Sequence, residues 1–513
     1  MTSYIRSTRR RRGLAAGIVA AGLALALTLS GCGTGAAGAS NDTSNTLKWA
    51  TSSFPTHWDP VVSGSGAQFR ELALIYASLT RTDAQGKPVP DLAASWQYNT
   101  TGDEITFHLR PNLTFSDGTP VNATAVEDAI ERAKTQKDSA LFGDLTSIKS
   151  VTTSGDLDVL VHLTQTDYQI PLLFGERLLQ IASPAAAADP TKLDQNPVGA
   201  GPFIVTQLVP GTKVVLKKNP NYWDAADIHI DNVQLVSAPD AATVVAGLQT
   251  GVYNFADIDP SQAKAAKAAG LDVFVQPGFN AENISLNVNK APFNNPKVVD
   301  AVRAATNRQE YVDKLTFGYG QATDQPFPPG YVAYDPASAD LHPYNPTLAK
   351  QDLADAGYQP GQLKLNLVIP TAQPYAEIVQ SQLAAVGITV TITVDKNWAT
   401  PFFAKQLTFS LYGTTGRDSA VQTLTAHFGP NGVLNLSTPY EPVGFEAAVA
   451  KVRQTPLDAP NYTQVLQAAT RVGLQSEALV FTYSAPNLFA KSTSISALPG
   501  NPGHIDWTGV TIK

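Results

Sequence analysis

The chain of 513 residues contains a single cysteine, Cys32. An intrachain disulfide needs two thiols, so no such bond can hold this fold together. The fold must be stabilised by burial of apolar side chains, which make up 43% of the sequence, an ordinary share for a globular protein. The length predicts two or three domains.

The residues before Cys32 have the pattern of an export signal. Arginines at positions 6 and 9–12 form a basic head, and residues 14–29 follow without a charge. A basic region, a short apolar region and a small-residue cleavage site are typical of secretory signals. We therefore expect residues 1–31 to be a signal peptide. The run "TRRRRGL" leaves both Sec and twin-arginine export open.

Cys32 itself ends the tetrapeptide "LSGC", which resembles the bacterial lipobox, where the cysteine thiol is acylated and becomes the new N-terminus. Because two or more acyl chains hold a protein stably on a membrane, the sequence predicts a lipid anchor, with palmitate-type chains, on Cys32. Residues 32–46 would be the lipidated N-terminus and a flexible spacer. The alternative is a small buried cysteine at the end of a signal-anchor helix.

Charge and composition argue against several classes of function. Loss of the five signal arginines lowers the formal net charge from −7 to −12. An acidic surface argues against nucleic acid and anionic lipid as partners. The seven histidines are scattered without metal-ligand spacing, so we expect no metal and no cofactor. The Gly-rich "VSGSGA" fits neither a nucleophile elbow nor a phosphate loop, and we expect no enzyme activity.

Strand and helix patterns alternate along the chain and predict an α/β fold. Ile105, Phe107 and Leu109 alternate with polar residues as in a half-buried strand, and Asn122 is placed to cap the following helix. "QLKLNLVIP", "YAEIVQSQLAAVG" and "ITVTITV", between residues 362 and 394, predict a strand, a helix and a strand with a parallel right-handed crossover.

Two further short helices are predicted by their first residues. Asn295 followed by Pro296 suits a helix start, because proline is tolerated in the first turn. Asn307 with Glu310 three residues later has the spacing of a reciprocal cap.

Several segments in order resemble the peptide/nickel/opine class of solute-binding proteins of bacterial ABC importers, family 5. They are "VPDLAASW" and "FSDGTP" between residues 89 and 120, "NPVGAGPF" and "NPNYWD" between 196 and 224, "LNVNKAPFNNPKVVDAV" from 286, and "LAKQDLADAGY" from 348. The resemblance covers nearly all of residues 47–498.

The resemblance implies a two-lobed periplasmic-binding-protein fold, type II-like, with an extra inserted subdomain and a hinge. Lobe I would comprise residues 45–76, 195–280 and 481–513, with the insert at 77–194, and lobe II residues 281–480. The crossings would lie near residues 276–283 and 479–486. The implied function is capture of a small solute in the interlobe cleft by a monomer, and delivery to ABC permease subunits. Closure follows because a ligand that contacts both lobes favours the closed state.

The segment "FSLYGTTGRDSAVQTL", residues 409–424, resembles the family segment in which an acid after a Gly-rich strand end holds the α-amino group of a peptide. The resemblance places Asp418 at that acid; the alternative is a loop Asp that caps the next helix. The sequence departs from the family here: Ser419 to Val421 replace the second acid and proline, and Arg417 stands beside the acid. Arg417 can pair with Asp418 or bind an acidic group of the ligand.

Four aromatic residues are candidates for walls of the binding cleft: Tyr412 and Trp398 in lobe II, and Phe54 and Trp58 in the early loop "SSFPTHWDP". The alternative for each is packing in the core.

The sequence thus predicts an extracytoplasmic, membrane-anchored binding protein for a di- or oligopeptide. A metal chelate, haem, an opine or an oligosaccharide are alternatives on the same fold. Two others are an exported surface hydrolase and an adhesive or sensing lipoprotein.

Overall fold

The computed structural model describes residues 45–63, 68–83, 85–175, 178–238, 240–276, 278, 281–414, 419–500 and 503–513. The predicted signal peptide, Cys32, Arg417 and Asp418 lie outside the described residues. Within those ranges, every helix is too short or too polar to cross a bilayer.

The first lobe is built on a seven-stranded sheet with the order β12-β19-β11-β1-β10-β9-β8. Its strands are β1 (Thr46–Thr51), β8 (Phe203–Val209), β9 (Lys213–Lys218), β10 (Asn232–Ser237), β11 (Phe255–Asp257), β12 (Asp272–Gln276) and β19 (Asn487–Lys491). Its helices are α1 (Phe69–Leu72), α6 (Ala241–Gln249) and α7 (Ala263–Ala268). Because β1 runs parallel to both β10 and β11, the carboxyl ends of these three strands share one edge.

The insert follows the first strand of this lobe and has a four-stranded antiparallel sheet, β4-β5-β7-β6, beside the pair β2-β3. Its elements are β2 (Thr80–Thr82), β3 (Pro88–Pro90), β4 (Ala93–Tyr98), β5 (Glu104–Leu109), α2 (Ala123–Thr135), β6 (Ile148–Ser154), β7 (Asp158–Leu163), α3 (Ile170–Leu173), α4 (Pro184–Ala187) and α5 (Pro190–Gln195). The predicted strand is β5, with its three apolar side chains buried. The predicted cap is also confirmed: Asn122 Oδ1 accepts from the Ala125 amide at 3.0 Å.

The chain returns from the insert to the first lobe through a close backbone contact. The Gly201 amide donates to the Ile75 carbonyl at 2.8 Å. A Cβ at Gly199 would overlap that carbonyl oxygen, so only glycine fits this approach.

The second lobe is built on a six-stranded mixed sheet with the order β14-β18-β13-β17-β15-β16. Its strands are β13 (Ala281–Leu286), β14 (Gln321–Ala322), β15 (Lys364–Ile369), β16 (Thr389–Val394), β17 (Phe409–Thr414) and β18 (Leu479–Ser484). Its helices are α8 (Pro296–Ala305), α9 (Arg308–Leu315), α10 (Pro346–Asp355), α11 (Pro374–Ala385), α12 (Ala399–Phe403), α13 (Ala420–Phe428), α14 (Phe445–Arg453) and α15 (Tyr462–Gly473). β15 and β16 are parallel and α11 connects them, as predicted.

The two short helices begin where the sequence predicts, but only one has the predicted cap. Asn295 Oδ1 accepts from the Lys297 amide at 3.1 Å. At α9 the reciprocal cap is absent among the described contacts, because the Asn307 side chain makes no capping bond. Glu310 instead accepts from Gln382 at 2.8 Å and from Lys314 at 2.6 Å. Gln382 of α11 and Lys314 of α9 thus take the carboxylate that a cap would have used.

The chain crosses between the two large sheets twice. It leaves the first lobe after β12 and enters the second lobe at β13, and it returns between β18 and β19. β13 and β18 are neighbouring antiparallel strands, so the two crossings lie side by side.

Candidate ligand-binding cleft

Ligands of open α/β sheets bind outside the carboxyl ends of the parallel strands. In the first lobe this edge carries Thr51 of β1 and Asp257 of β11. In the second lobe it carries the ends of β15 and β17, Ile369 and Thr414.

Asp257 is the central carboxylate of the first-lobe edge, and hydrogen-bond donors surround it. It accepts from Trp49 Nε1 at 3.0 Å, from Thr51 Oγ1 at 3.1 Å, and from the Ser52 amide and hydroxyl at 3.2 and 3.1 Å. Arg70 Nη2 lies 3.7 Å from Asp257 Oδ2, and the Asp257 side chain is only 11% exposed. This carboxylate therefore serves the structure of the edge.

Glu71 is fully buried beside Asp257, and its Oε1 atom lies 2.6 Å from Thr51 Oγ1. Burial is the largest cause that raises its pKa to about 8; Arg70 opposes the rise and Asp257 adds to it. A neutral Glu71 can donate its proton to Thr51, which leaves the Thr51 hydroxyl proton for Asp257. Thr51 Oγ1 thus bridges the two acids.

The second-lobe edge carries a stack of aromatic rings. The Trp398 ring centroid lies 4.4 Å from that of Phe402 and 5.8 Å from that of Tyr412, with interplanar angles of 27° and 15°. Trp398 Nε1 donates to Ser410 Oγ at 2.7 Å, and Ser410 donates in turn to the Val368 carbonyl at 2.7 Å. Trp398 is buried and Tyr412 is partly exposed, so the Tyr412 ring is the more accessible face of the stack.

Phe54 and Trp58 lie in the first lobe, with their ring centroids 5.7 Å apart. Trp58 is 3% exposed, its carbonyl accepts from the Tyr76 hydroxyl at 2.7 Å, and its amide donates to Asp194. These contacts place both rings in the first-lobe core. Their predicted role as cleft walls stays a prediction.

One acid that the sequence interpretation missed lies at the second-lobe edge. Glu282, near the start of β13, is in register with Gly413 of β17 and Tyr483 of β18. Glu282, Ile284 and Leu286 are alternate residues of β13 and therefore share one face of the strand; Ile284 and Leu286 are buried in the second-lobe core. The sequence signal that could have identified Glu282 is an acidic residue in line with the apolar residues of a predicted strand.

The insert contacts the second lobe at a small polar surface, here called the seam: Asp167, Tyr168 and Gln169 of the insert with Ser419, Arg453 and Tyr462 of the second lobe. The Tyr462 hydroxyl donates to Gln169 Oε1 at 2.9 Å, and Ser419 Oγ lies 3.4 Å from the same atom. The Tyr168 amide donates to the Arg453 carbonyl at 2.8 Å, and Arg453 lies 3.8 Å from Asp167. The insert thereby reaches the residue at which α13 is capped.

Ser419 is the cap of α13. Its hydroxyl accepts from the Val421 amide at 3.2 Å, and its amide donates to Gln422 Oε1 at 3.0 Å. The start of α13 is therefore satisfied by Ser419 and Gln422, the reciprocal arrangement that favours helix initiation.

The architecture defines a class. Two α/β lobes joined by two adjacent crossings, with a further sheet inserted in the first lobe, form the two-lobed fold of the periplasmic binding proteins. A solved structure with this fold, DppA from Helicobacter pylori in complex with the peptide STSA, matches with a TM-score of 0.79 at 22% identity and covers 91% of this chain and 98% of that one.

Residues 87–432 match the family of bacterial extracellular solute-binding proteins, family 5, over well more than half of the chain, and the chain belongs to this family. It is 27% identical over 399 residues to the heme-binding protein A of Haemophilus influenzae, covering 70% of this chain and 72% of the relative. It is 28% identical over 387 residues to the dipeptide-binding protein of Pseudomonas aeruginosa, covering 69% and 72%. The protein is thus a solute-binding component of an ABC importer, a binding protein of the extracytoplasmic side.

Proposed function

We propose that this protein is a monomeric, lipid-anchored receptor that captures a short peptide between its lobes and presents it to an ABC permease. The observation that carries the proposal is the seam. The chain enters segment 415–418 from the end of β17 and leaves it at Ser419, which contacts Gln169 of the insert. The residue that follows the segment resembling the family's amine-binding loop therefore contacts the insert.

A peptide suits this cleft because main-chain hydrogen bonds give affinity that does not depend on side chains. We assign the ligand α-amino group to Asp418, since a charge-assisted hydrogen bond is roughly twice as strong as a neutral one. The alternative role, capping of α13, is already filled by Ser419. Arg417 is proposed to bind the ligand carboxylate.

Closure is proposed to follow from the two-sided contact. A ligand that touches both lobes binds the closed form more tightly and shifts the population towards it. The seam forms only when the insert and the second lobe approach, so it would mark the closed form for the permease.

Native mass spectrometry of the protein purified from its own host tests ligand class and monomeric state together. Calorimetry with di- to tetrapeptides, and with haemin as the competing ligand, then measures affinity. We expect a bound peptide, and at least a tenfold loss of peptide affinity in Asp418→Asn. Asp458→Asn, an exposed acid of the same lobe, should bind as the unmodified protein does. Tight binding of haemin with no peptide binding would overturn the proposal.

The lipid anchor has its own test. Cys32→Ala should move the protein from the membrane fraction to the medium or periplasm and abolish incorporation of a labelled fatty acid. Ser40→Ala in the spacer should change neither. Retention of the label in Cys32→Ala would exclude this cysteine as the site of acylation.

A further inference from the structure

Glu282 lies where the chain enters the second lobe. It is the second residue of β13, and its register partners Gly413 and Tyr483 lie near the ends of β17 and β18. It therefore belongs to the same edge as Thr414, the last residue before segment 415–418. The crossing from the first lobe ends one residue earlier, at Ala281.

The Glu282 carboxylate rests directly on the backbone of Gly413. A Cβ at position 413 would lie inside van der Waals contact of both carboxylate oxygens. The Gly413 backbone is not left-handed, so glycine is needed here for space and not for its φ angle. The sequence thus leaves room for an acid side chain at the end of β17.

No hydrogen bond or ion pair to the Glu282 carboxylate occurs within the described part of the chain. The titratable groups that face it are the hydroxyls of Tyr375, from α11, and Tyr483, from β18. Burial raises the pKa of both phenols, so both stay neutral near pH 7. Burial alone raises the pKa of Glu282 to about 7.

A carboxylate that is largely removed from water without a partner costs stability, and such groups are concentrated at functional sites. Among the described residues, a positively charged group is what this position lacks. Glu282 is partly exposed and lies at the carboxyl edge of the sheet, outside which ligands of open α/β sheets bind.

We propose that the Glu282 carboxylate binds a cationic group of the ligand, an ammonium or guanidinium, at the crossing end of the cleft. The inference rests on the proposed function, because it adds to a peptide held at its α-amino group a second cation, a lysine or arginine side chain. Glu282 is then the residue that selects basic peptides over neutral ones of the same shape.

Calorimetry with matched tripeptides tests the selection. The panel places lysine at each position of an alanine tripeptide, with norleucine counterparts that keep the carbon chain and lack the charge. We expect at least one lysine peptide to bind ten times more tightly than its norleucine counterpart. In Glu282→Gln this advantage should fall below twofold. Glu377→Gln, an exposed acid on α11, should keep it.

The pH dependence gives a second readout. The lysine side chain binds the charged carboxylate, so the affinity ratio of a lysine peptide to its norleucine counterpart should rise between pH 6 and 8 in the unmodified protein and stay level in Glu282→Gln. The ratio removes the titration of the peptide α-amino group, which both peptides share. Gly413→Ala, which displaces the carboxylate, should lower the lysine advantage as well. Urea unfolding of each variant confirms that it is folded.

The outcomes separate this inference from the proposed function. Peptide binding without a lysine preference, or with a preference that Glu282→Gln keeps, overturns the inference and leaves the function standing. Glu282-dependent binding of agmatine without binding of any peptide supports the inference and overturns the peptide function. Binding of neither peptides nor agmatine overturns both.

Discussion

The two lobes each place a carboxylate at the carboxyl edge of their sheet, and the two carboxylates differ in their surroundings. Asp257 accepts four hydrogen bonds and lies near Arg70. Glu282 has no such partner among the described residues, and glycine makes the room that it occupies. The first carboxylate therefore organises its own lobe, whereas the second is the one that we propose binds a cationic group of the ligand.

Removal of Asp257 should have the largest effect on stability. Asp257→Ala leaves Trp49 Nε1 and the Ser52 amide without their acceptor and Arg70 without its counter-ion. We expect a loss of about 3 kcal/mol in the free energy of unfolding, measured in urea. Asp259→Ala, two residues along and exposed, should cost less than about 1 kcal/mol. Equal losses would contradict the structural role of Asp257.

Glu71 and Glu282 should both contribute to the pH dependence of the free energy of unfolding. The folded protein holds protons on Glu71 up to about pH 8 and on Glu282 up to about pH 7, whereas both ordinary values are 4.5. The unfolded chain releases these protons first, so stability should fall as pH rises from 5 to 8.

Glu282→Gln should remove part of this fall, on the order of 2 kcal/mol between pH 5 and 8. Urea unfolding at four pH values measures it, with Glu377→Gln as the matched control. A fall that is as steep in Glu282→Gln as in the unmodified protein would show that Glu282 is already charged in the folded state.

The smallest effect is expected at Ser52. Ser52→Ala deletes one hydroxyl from Asp257 and keeps its other donors, so the free energy of unfolding should drop by less than about 1 kcal/mol. Peptide affinity should not change. A drop as large as that of Asp257→Ala would mean that the remaining donors do not satisfy the carboxylate.

Periodicity and capping patterns predicted β5, α2 and the β15-α11-β16 unit, because these depend on residues close together in the chain. The partnership of Glu282 with Gly413 depends on strand register in a mixed sheet, which no local pattern contains. Tyr462 and Gln169 are 293 residues apart. The loop sequence left Trp58 open between a cleft wall and the core; its hydrogen bonds with the Tyr76 hydroxyl and the Asp194 carboxylate come from distant parts of the chain. The surroundings of such residues depend on partners far away in the sequence, which local patterns do not contain.

The polar contacts of the seam affect how easily the insert and the second lobe separate to release a ligand. Its described contacts are hydrogen bonds and one ion pair at 3.8 Å, and the apolar clusters of the insert and the second lobe are separate. Water can replace each of these contacts when the halves part, at a net cost of about 1 kcal/mol apiece. The seam can thus separate without pulling apart a shared apolar cluster, because none of its described contacts joins the two clusters.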